Sequence, residues 1–196
     1  MAAMFIETEL TPNPASLKFL PGRAVMGVGG TREFSSPEAA AASPLAEAIF
    51  DSGEVTGVFF GADFVTVTAA PGADWSQLKP QVLAILLDHF VSEAPLFAAG
   101  SAAGIAVPPE DEPAFEDRPE DADIVAQIQD LLETRVRPAV AGDGGDIQYR
   151  GFRDGVVYLA MQGACSGCPS STATLKHGIE GLLKHYVPEV VEVRAA

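Results

Sequence analysis

Basic residues are scarce in this chain. Its 196 residues include 12 Lys and Arg against 27 Asp and Glu, which gives a net charge of −15. A protein this acidic is repelled by the phosphate backbone of DNA or RNA, which cationic side chains normally neutralise. We therefore expect no nucleic-acid partner.

Long apolar runs are also missing. No stretch approaches the roughly 20 apolar residues that a helix needs to cross a bilayer, so we expect no membrane association. The N-terminus, MAAMFIETEL, has neither the basic region and apolar core of a secretory signal nor the Arg- and Ser-rich composition of a transit peptide. These absences predict a cytoplasmic protein.

Cysteine is limited to two residues, Cys165 and Cys168, in the stretch GACSGCPSS. In the cytoplasm, two cysteines this close together indicate redox chemistry or metal binding more than a structural disulfide. A structural zinc site and a cubane iron–sulfur cluster each need four ligands. One copy of the chain therefore supplies two of the four.

A segment rich in Ala, Pro and acidic residues, 94–123, divides the chain into two parts. Its prolines oppose regular structure, and its like charges keep it extended. We predict a flexible acidic linker there, between a first domain at 1–93 and a second domain at 124–196. Because both parts mix helix and strand patterns, the predicted fold class is α+β, with two small α/β-sandwich-like domains.

The first domain shows two hairpin patterns and two helical ones. MFIETEL pairs with SLKFLP, and VTGVFF pairs with FVTVTAA. SPLAEAIFDSG predicts a helix that Ser43 caps. A second helical pattern runs from Trp75 to Val91, but Pro80 is awkward inside it. A start near Leu78 or Lys79 would place that proline in the first turn, where it is tolerated.

The second domain begins with an amphipathic helix, DADIVAQIQDLLETRVRPAV, for which Asp123 is the predicted cap. GDGGD lacks the spacing of an EF-hand calcium loop, so we interpret it as a turn that ends this helix. DIQYRGF and GVVYLAMQ predict a hairpin. A helix from Ser170 to Tyr186 and a last strand, VVEVRA, follow. The cysteines thus lie at a strand-to-helix junction.

The cysteine loop has features that favour ionised sulfur. Pro169 suits the first turn of a helix, whose N-terminus carries positive potential and lowers the pKa of nearby thiols. Gly163 and Gly167 remove side-chain bulk, so the backbone can approach a large ligand. The loop is therefore suited to hold thiolates, with Cys165 and Cys168 as the candidate ligands.

Histidine does not complete a ligand set. His177 is predicted on the solvent-facing side of its helix, His185 on a flank, and His89 in the other domain as a core or boundary residue. Two copies of the chain around a two-fold axis would supply four thiolates to one cluster. Such a shared site should release its contents readily, which fits a carrier.

Thiol–disulfide exchange is the main alternative, and zinc binding or no special chemistry also remain open. Two details oppose exchange. A β-hairpin precedes the loop, whereas thioredoxin-type motifs follow the first strand of a βαβ unit. Ser166 and Gly167 also lie between the cysteines, where those motifs commonly have proline.

The sequence resembles the NifU/Nfu iron–sulfur scaffold proteins. In the second domain the resemblance rests on RP (137–138), GDGGDI (142–147), GVVYLAMQGACSGCPSSTATLKHGIEGLL (155–183) and PEV (188–190). In the first domain it rests on TPNPASLKFLPG (11–22), REFSSP (32–37), SPLAEAIF (43–50), VTGVFFGADFVTVT (55–68) and DWSQLKP (74–80). It covers nearly the whole chain apart from the linker.

This resemblance implies a scaffold and carrier, not an enzyme, that delivers a 4Fe–4S cluster to apo iron–sulfur enzymes. It implies that Cys165 and Cys168 of each subunit in a homodimer bind the cluster, and that upstream assembly proteins donate it. Mitochondrial members carry a presequence, and none is evident in this chain. We therefore expect a bacterial cytoplasm as its location.

Overall fold

The computed structural model describes residues 5–28, 30–98, 117–166 and 169–195, with the backbone alone for 169–171. The chain divides into two compact units, residues 1–106 and 107–196. Each unit combines helices with its own β-sheet, which confirms the predicted α+β class. No helix in the described part of the chain is both long and apolar enough to cross a membrane.

Five strands of the first unit form one sheet in the order β1-β2-β5-β4-β3. The strands are β1 (Glu7–Leu10), β2 (Ser16–Leu20), β3 (Arg32–Phe34), β4 (Val55–Phe60) and β5 (Val65–Ala69). All neighbouring pairs are antiparallel, and both predicted hairpins, β1–β2 and β4–β5, are confirmed. β3 was not predicted, because its three residues are too few to show an alternating pattern.

Three helices accompany this sheet: α1 (Pro37–Ala40), α2 (Pro44–Phe50) and α3 (Trp75–Val91). Ser43 caps α2 as predicted, since its side chain accepts a hydrogen bond from the Ala46 N–H. The helical pattern from Trp75 to Val91 is confirmed, and the alternative start near Leu78 or Lys79 is wrong. The Asp74 carboxylate accepts a hydrogen bond from the Ser76 N–H at 2.9 Å and begins the helix earlier, so Pro80 lies inside it.

The core of the first unit is rich in phenylalanine. Alternate residues of the central strands β4 and β5 point toward the helices, and positions four apart on α3 meet them. The buried phenylalanines of this core are Phe19, Phe34, Phe50, Phe60 and Phe90. In this core the strands bury every second residue and the helix buries one residue in each turn. This burial of apolar surface holds the sheet and helices together.

The second unit is built on a three-stranded sheet in the order β6-β7-β8. Its elements are a 3₁₀ turn (Pro119–Asp121), α4 (Ala122–Leu131), a π-helical turn (Leu132–Val136), α5 (Arg137–Gly142), β6 (Gly145–Arg153), β7 (Val156–Gly163), α6 (Pro169–Tyr186) and β8 (Glu192–Ala195). β6 and β7 form the predicted hairpin. β7 and β8 are parallel, and α6 is the crossover between them.

The first helix of this unit departs from the prediction at both ends. Asp123 is not its cap, because a 3₁₀ turn precedes α4 and places Asp123 in the first helical turn. Further along, the buried residues Ile128, Leu132, Val136 and Val140 are spaced by four. In a regular α-helix each such step drifts by about 40° around the axis. The wider π turn compensates for this drift and keeps the stripe on the core.

Both ends of the segment predicted as a linker belong to the flanking units. Leu96 and Phe97 pack against the first core, and the Ala98 N–H donates to the Ala42 carbonyl at 3.0 Å. At the other end, Asp117 accepts hydrogen bonds from the second unit. The intervening residues 99–116 lie outside the described residues.

Candidate functional site

The cysteine loop joins the end of β7 at Gly163 to the start of α6 at Pro169. The carboxyl end of a strand therefore meets the N-terminus of an 18-residue helix. Backbone N–H groups at a helix N-terminus have no partner within the helix and favour negative charge. Gly167 and Cys168 lie outside the described residues, so the geometry of the site is that of Cys165.

Cys165 is buried in the core of the second unit, with 6% of its surface exposed. Its carbonyl accepts a hydrogen bond from the Thr172 hydroxyl at 3.0 Å, in the first turn of α6. The N–H and the hydroxyl of Ser166 both donate to the Gly163 carbonyl, at 3.1 and 2.9 Å. Strand end and helix start thus fix the backbone on both sides of Cys165.

Gly145, the first residue of β6, lies directly against the Cys165 thiol. A Cβ atom at this position would be 2.8 Å from Cys165 Sγ and 2.5 Å from the Gln162 carbonyl oxygen. The neighbouring Gly144 carbonyl accepts a hydrogen bond from the Ala164 N–H at 3.2 Å. Because only glycine fits this close approach, the GDGGD sequence forms one wall of the cysteine loop.

The same sequence provides a buried carboxylate. Asp146 is 3% exposed and accepts two hydrogen bonds from the Arg137 guanidinium, at 2.8 Å from Nε and 2.7 Å from Nη2. Arg137 also contacts Glu133 at 2.6 Å. The hydrogen bond that Arg137 donates to Asp146 is the largest of the effects that raise the pKa of Arg137.

Sequence reasoning missed this ion pair. GDGGD was interpreted only as a turn, and the turn itself is confirmed, since α5 ends at Gly142 and β6 begins at Gly145. The direction of Arg137 could not be read from a regular helical wheel, because the π turn immediately before it changes the angular spacing. In addition, Arg137 and Asp146 are nine residues apart, a separation that matches neither helix nor strand periodicity and so did not indicate that they pair.

A second contact, which is partly buried, ties the start of this unit to its sheet. The Tyr149 hydroxyl and the Phe152 N–H both donate to the Asp117 carboxylate at 2.7 Å. Burial, followed by the hydrogen bond and charge of Asp117, raises the pKa of Tyr149. The two donors flank a β-bulge between Tyr149 and Gly151, where the register of β6 and β7 shifts. Asp117 therefore stabilises the irregular part of the hairpin.

The histidines lie where the sequence predicted them. His177 and His185 are exposed on α6, and His89 is buried in the first unit, where burial lowers its pKa. Within the described ranges, no group of three or more His, Cys, Asp or Glu side chains could hold a metal ion. The described part of one chain therefore offers Cys165 as its candidate ligand, without a histidine beside it.

The structure changes the case for thiol–disulfide exchange in two ways. The hairpin before the loop does not distinguish it from a thioredoxin-type motif, because β7, α6 and β8 form a parallel βαβ unit. The topological reason against exchange is therefore wrong. Burial of Cys165 is a new reason against exchange, because an attacking thiolate must reach its target disulfide.

Two family models match the chain. One is described as scaffold protein Nfu/NifU N terminal and covers residues 6–93, and the other is the NifU-like domain and covers residues 128–194. Together they account for both compact units. Residues 94–127, which lie between the two matches, include the predicted acidic linker at 94–123.

Curated relatives match over almost the full chain. An NFU1 iron-sulfur cluster scaffold homolog, mitochondrial, from Drosophila ananassae is 47% identical over 97% of this chain and 63% of its own length. NifU-like protein 4, mitochondrial, from Arabidopsis thaliana is 51% identical over 95% of this chain and 64% of its own length. The chain thus spans just under two thirds of these relatives.

One similar solved structure is the solution NMR structure of a NifU-like protein from Saccharomyces cerevisiae. It has 24% sequence identity and a TM-score of 0.45, and the match covers 49% of this chain and 86% of that one.

These relatives correct the predicted location. Both are mitochondrial proteins of eukaryotes, which contradicts the prediction of a bacterial cytoplasm. The prediction is wrong because it relied on what the sequence lacks, namely long apolar runs and an evident presequence. The domains matched over residues 6–93 and 128–194 are shared with relatives that are named as mitochondrial.

Proposed function

The chain belongs to the Nfu/NifU family, and we propose that it is an iron–sulfur cluster scaffold that binds a 4Fe–4S cluster and transfers it to apo-proteins. The observation that carries the proposal is the position of the cysteine loop. It lies at the N-terminus of α6, where the helix dipole and backbone N–H groups that have no acceptor within a helix favour an anionic, thiolate-bound cluster.

The ligands in this proposal are Cys165 and Cys168 from each of two subunits. A cubane cluster takes four terminal ligands, and one chain holds two cysteines. A two-fold arrangement of loops completes the set without any residue from outside the chain. Because Cys165 is buried in the described structure, cluster binding requires its thiol to turn outward, away from Gly145.

A cluster that is shared between two subunits is suited to transfer, because neither subunit encloses it completely. A cluster held by two chains loses half of its ligands when the dimer separates, so a recipient with four cysteines of its own can take it. The protein then acts as a carrier and not as an enzyme that turns over a substrate. Its partners are upstream assembly proteins that donate the cluster and apo iron–sulfur enzymes that receive it.

The remaining parts of the chain have supporting roles in this proposal. The first domain, residues 1–93, recognises donors or recipients, and the second, residues 124–196, carries the cluster. The acidic linker predicted at residues 94–123, whose two ends fold with the flanking units, tethers the two. Tethering raises the effective concentration of the cluster domain near a recipient that the first domain has bound, and should speed transfer.

The test is anaerobic reconstitution of the full chain with iron and sulfide, followed by transfer to an apo-enzyme that needs a 4Fe–4S cluster. We expect a brown protein that activates the recipient. Cys165→Ser and Cys168→Ser should each lose iron retention and transfer. His177→Gln, at an exposed position of the helix α6 that follows the cysteines, should lose neither. Retention of iron and transfer by both serine variants would refute the proposal.

The same samples separate this proposal from thiol–disulfide exchange. A protein that stays colourless after reconstitution but reduces the disulfides of insulin would be an oxidoreductase.

A further inference from the structure

A contribution to overall stability does not by itself explain why the ion pair between Arg137 and Asp146 is largely buried. Asp146 is 4% exposed in its side chain and Arg137 24%. Taking two charges out of water costs about as much as their attraction returns, so a buried ion pair adds little net stability compared with apolar packing. What such a pair does provide is a fixed geometry, since the guanidinium donates two parallel hydrogen bonds to the carboxylate in one orientation.

The orientation matters because of what precedes Asp146 in the chain. Its two predecessors, Gly144 and Gly145, each contact the described part of the cysteine loop. The Gly144 carbonyl accepts the Ala164 N–H, and the Gly145 backbone lies against Cys165 Sγ. Glycine has more backbone freedom than other residues, and this wall lies at the very end of β6, where Gly145 pairs with Gly163, so a restraint beside it limits how far it can move. Asp146, held by Arg137, is the first restrained side chain after it.

Arg137 is in turn held by the helix that carries it. It follows the π turn and precedes Pro138, the second residue of α5. Proline cannot donate a hydrogen bond to the preceding helical turn and its ring crowds the carbonyl there. The wider π turn removes that conflict and, by its extra residue per turn, determines the direction in which Arg137 leaves the helix. Glu133 at 2.6 Å holds the guanidinium from the other side.

We propose that Arg137 and Asp146 are positioning residues for the cysteine loop, which keep Gly144 and Gly145 against Cys165 and so limit how freely its thiol leaves the core. This inference rests on the proposed function for its biological meaning. In a cluster carrier, the restraint sets how readily Cys165 is presented and how fast the bound cluster is released. The thiol's accessibility can be measured without any cluster, so the two proposals can fail separately.

The experiment uses the full chain with Cys168→Ser, which leaves Cys165 as its single thiol. The rate of alkylation by iodoacetamide is measured at one fixed pH, alone and with Arg137→Lys or Asp146→Asn. Lysine keeps the positive charge but loses the two-pronged hydrogen bond. We expect each variant to raise the alkylation rate about tenfold, which equals about 1.4 kcal/mol in the free energy of local opening.

The matched control is Lys184→Met, which removes an ion pair of equal length, Lys184 to Glu180 at 2.7 Å, elsewhere in the same unit. Its alkylation rate should stay unchanged. Urea unfolding of every variant separates local opening from general destabilisation, because a purely structural role would raise alkylation only in proportion to the loss of global stability.

Unchanged alkylation in Arg137→Lys, an equal rise in Lys184→Met, or a rise that tracks global unfolding would each overturn the inference. A second measurement is made on variants that retain both cysteines. Arg137→Lys should load with iron and sulfide yet release the cluster faster than the unsubstituted chain. If the unsubstituted chain fails to load, the scaffold function fails, and the alkylation rates still decide the role of the ion pair.

Discussion

The two units of this protein use their buried polar groups differently. In the first unit such groups complete the backbone around an aromatic core: Ser43 caps α2, and the Asn13 side chain accepts the Ala15 N–H at 3.0 Å within a turn. Lys18 is buried too, but its partner Glu9 is half exposed. In the second unit the buried ion pair of Arg137 and Asp146 borders the cysteine loop.

The apolar cores of the two units also differ in the residues that form them. The described core of the first unit has five buried phenylalanines, whereas that of the second has Phe152 and otherwise aliphatic residues, with Cys165 among them. The difference indicates that the first unit is optimised for packing, while the second combines packing with a wall of glycines and an ion pair that constrain one thiol. Substitutions in each unit can break or sharpen this contrast.

The largest effect is expected from Phe60→Ala. Phe60 is fully buried, and its ring centroid lies 5.2 Å from that of Phe34 and 6.4 Å from that of Phe97. Loss of a buried phenylalanine costs about 3–5 kcal/mol of unfolding free energy. Hydrogen exchange should report this loss in the first unit alone, with iron retention unchanged.

Phe5→Ala is the matched control, since Phe5 is 75% exposed and its loss should change stability by less than about 0.5 kcal/mol. If Phe60→Ala abolished iron retention, the contrast between a packing unit and a chemical unit would not hold.

Gly145→Ala should be the most damaging change in the second unit. The added methyl would overlap the Gln162 carbonyl and Cys165 Sγ, and a backbone carbonyl cannot move aside without shifting the strand. We expect a loss of about 3 kcal/mol, at the upper end for overpacking, together with a loss of iron retention.

Gly142→Ala, three residues away, has open space around the new methyl and should fold and load normally. Chemical denaturation and iron content of the two variants test this pair. Normal loading of Gly145→Ala would show that close approach to Cys165 is unnecessary.

Asp117→Ala should destabilise the second unit by about 2 kcal/mol, because it leaves the Tyr149 hydroxyl and the Phe152 N–H without their acceptor. Glu120→Ala, which removes an exposed carboxylate three residues later, should change stability by less than about 0.5 kcal/mol. Urea unfolding measures both. Equal effects would mean that the acidic segment acts through its net charge and not through this contact.

The smallest effect is expected in the pH dependence of the first unit. Burial lowers the pKa of His89 in the folded state, partly offset by the charge of Asp88. The unfolded chain then binds a proton more readily, so the unfolding free energy should fall as the pH drops below about 6.5, the ordinary histidine pKa. His89→Gln should flatten this dependence between pH 7 and 5. His177→Gln, on the exposed face of α6, should leave it intact.

The sequence was sufficient where a side-chain pattern maps directly onto a regular element. β-branched and aromatic runs predicted β4 and β5, apolar residues on one face predicted α3, and Ser43 followed by proline marked the start of α2. The position of the cysteine loop between β7 and α6 followed from the same patterns. These features depend on residues close in sequence.

The parts that were missed depend on contacts between distant residues or on irregular geometry. The pairing of Arg137 with Asp146 needs the π turn, and the approach of Gly145 to Cys165 needs the register of β6 against β7. The parallel pairing of β8 with β7 is likewise set by tertiary packing of α6. No local propensity signals any of these, because each is decided when the sheet and helices assemble.

Native mass spectrometry of the anaerobically reconstituted full chain tests the central claim most directly. The account predicts one 4Fe–4S cluster per two chains, and monomers without iron for Cys165→Ser. A single chain that carries all four iron atoms, or a Cys165→Ser dimer that retains the cluster, would contradict it.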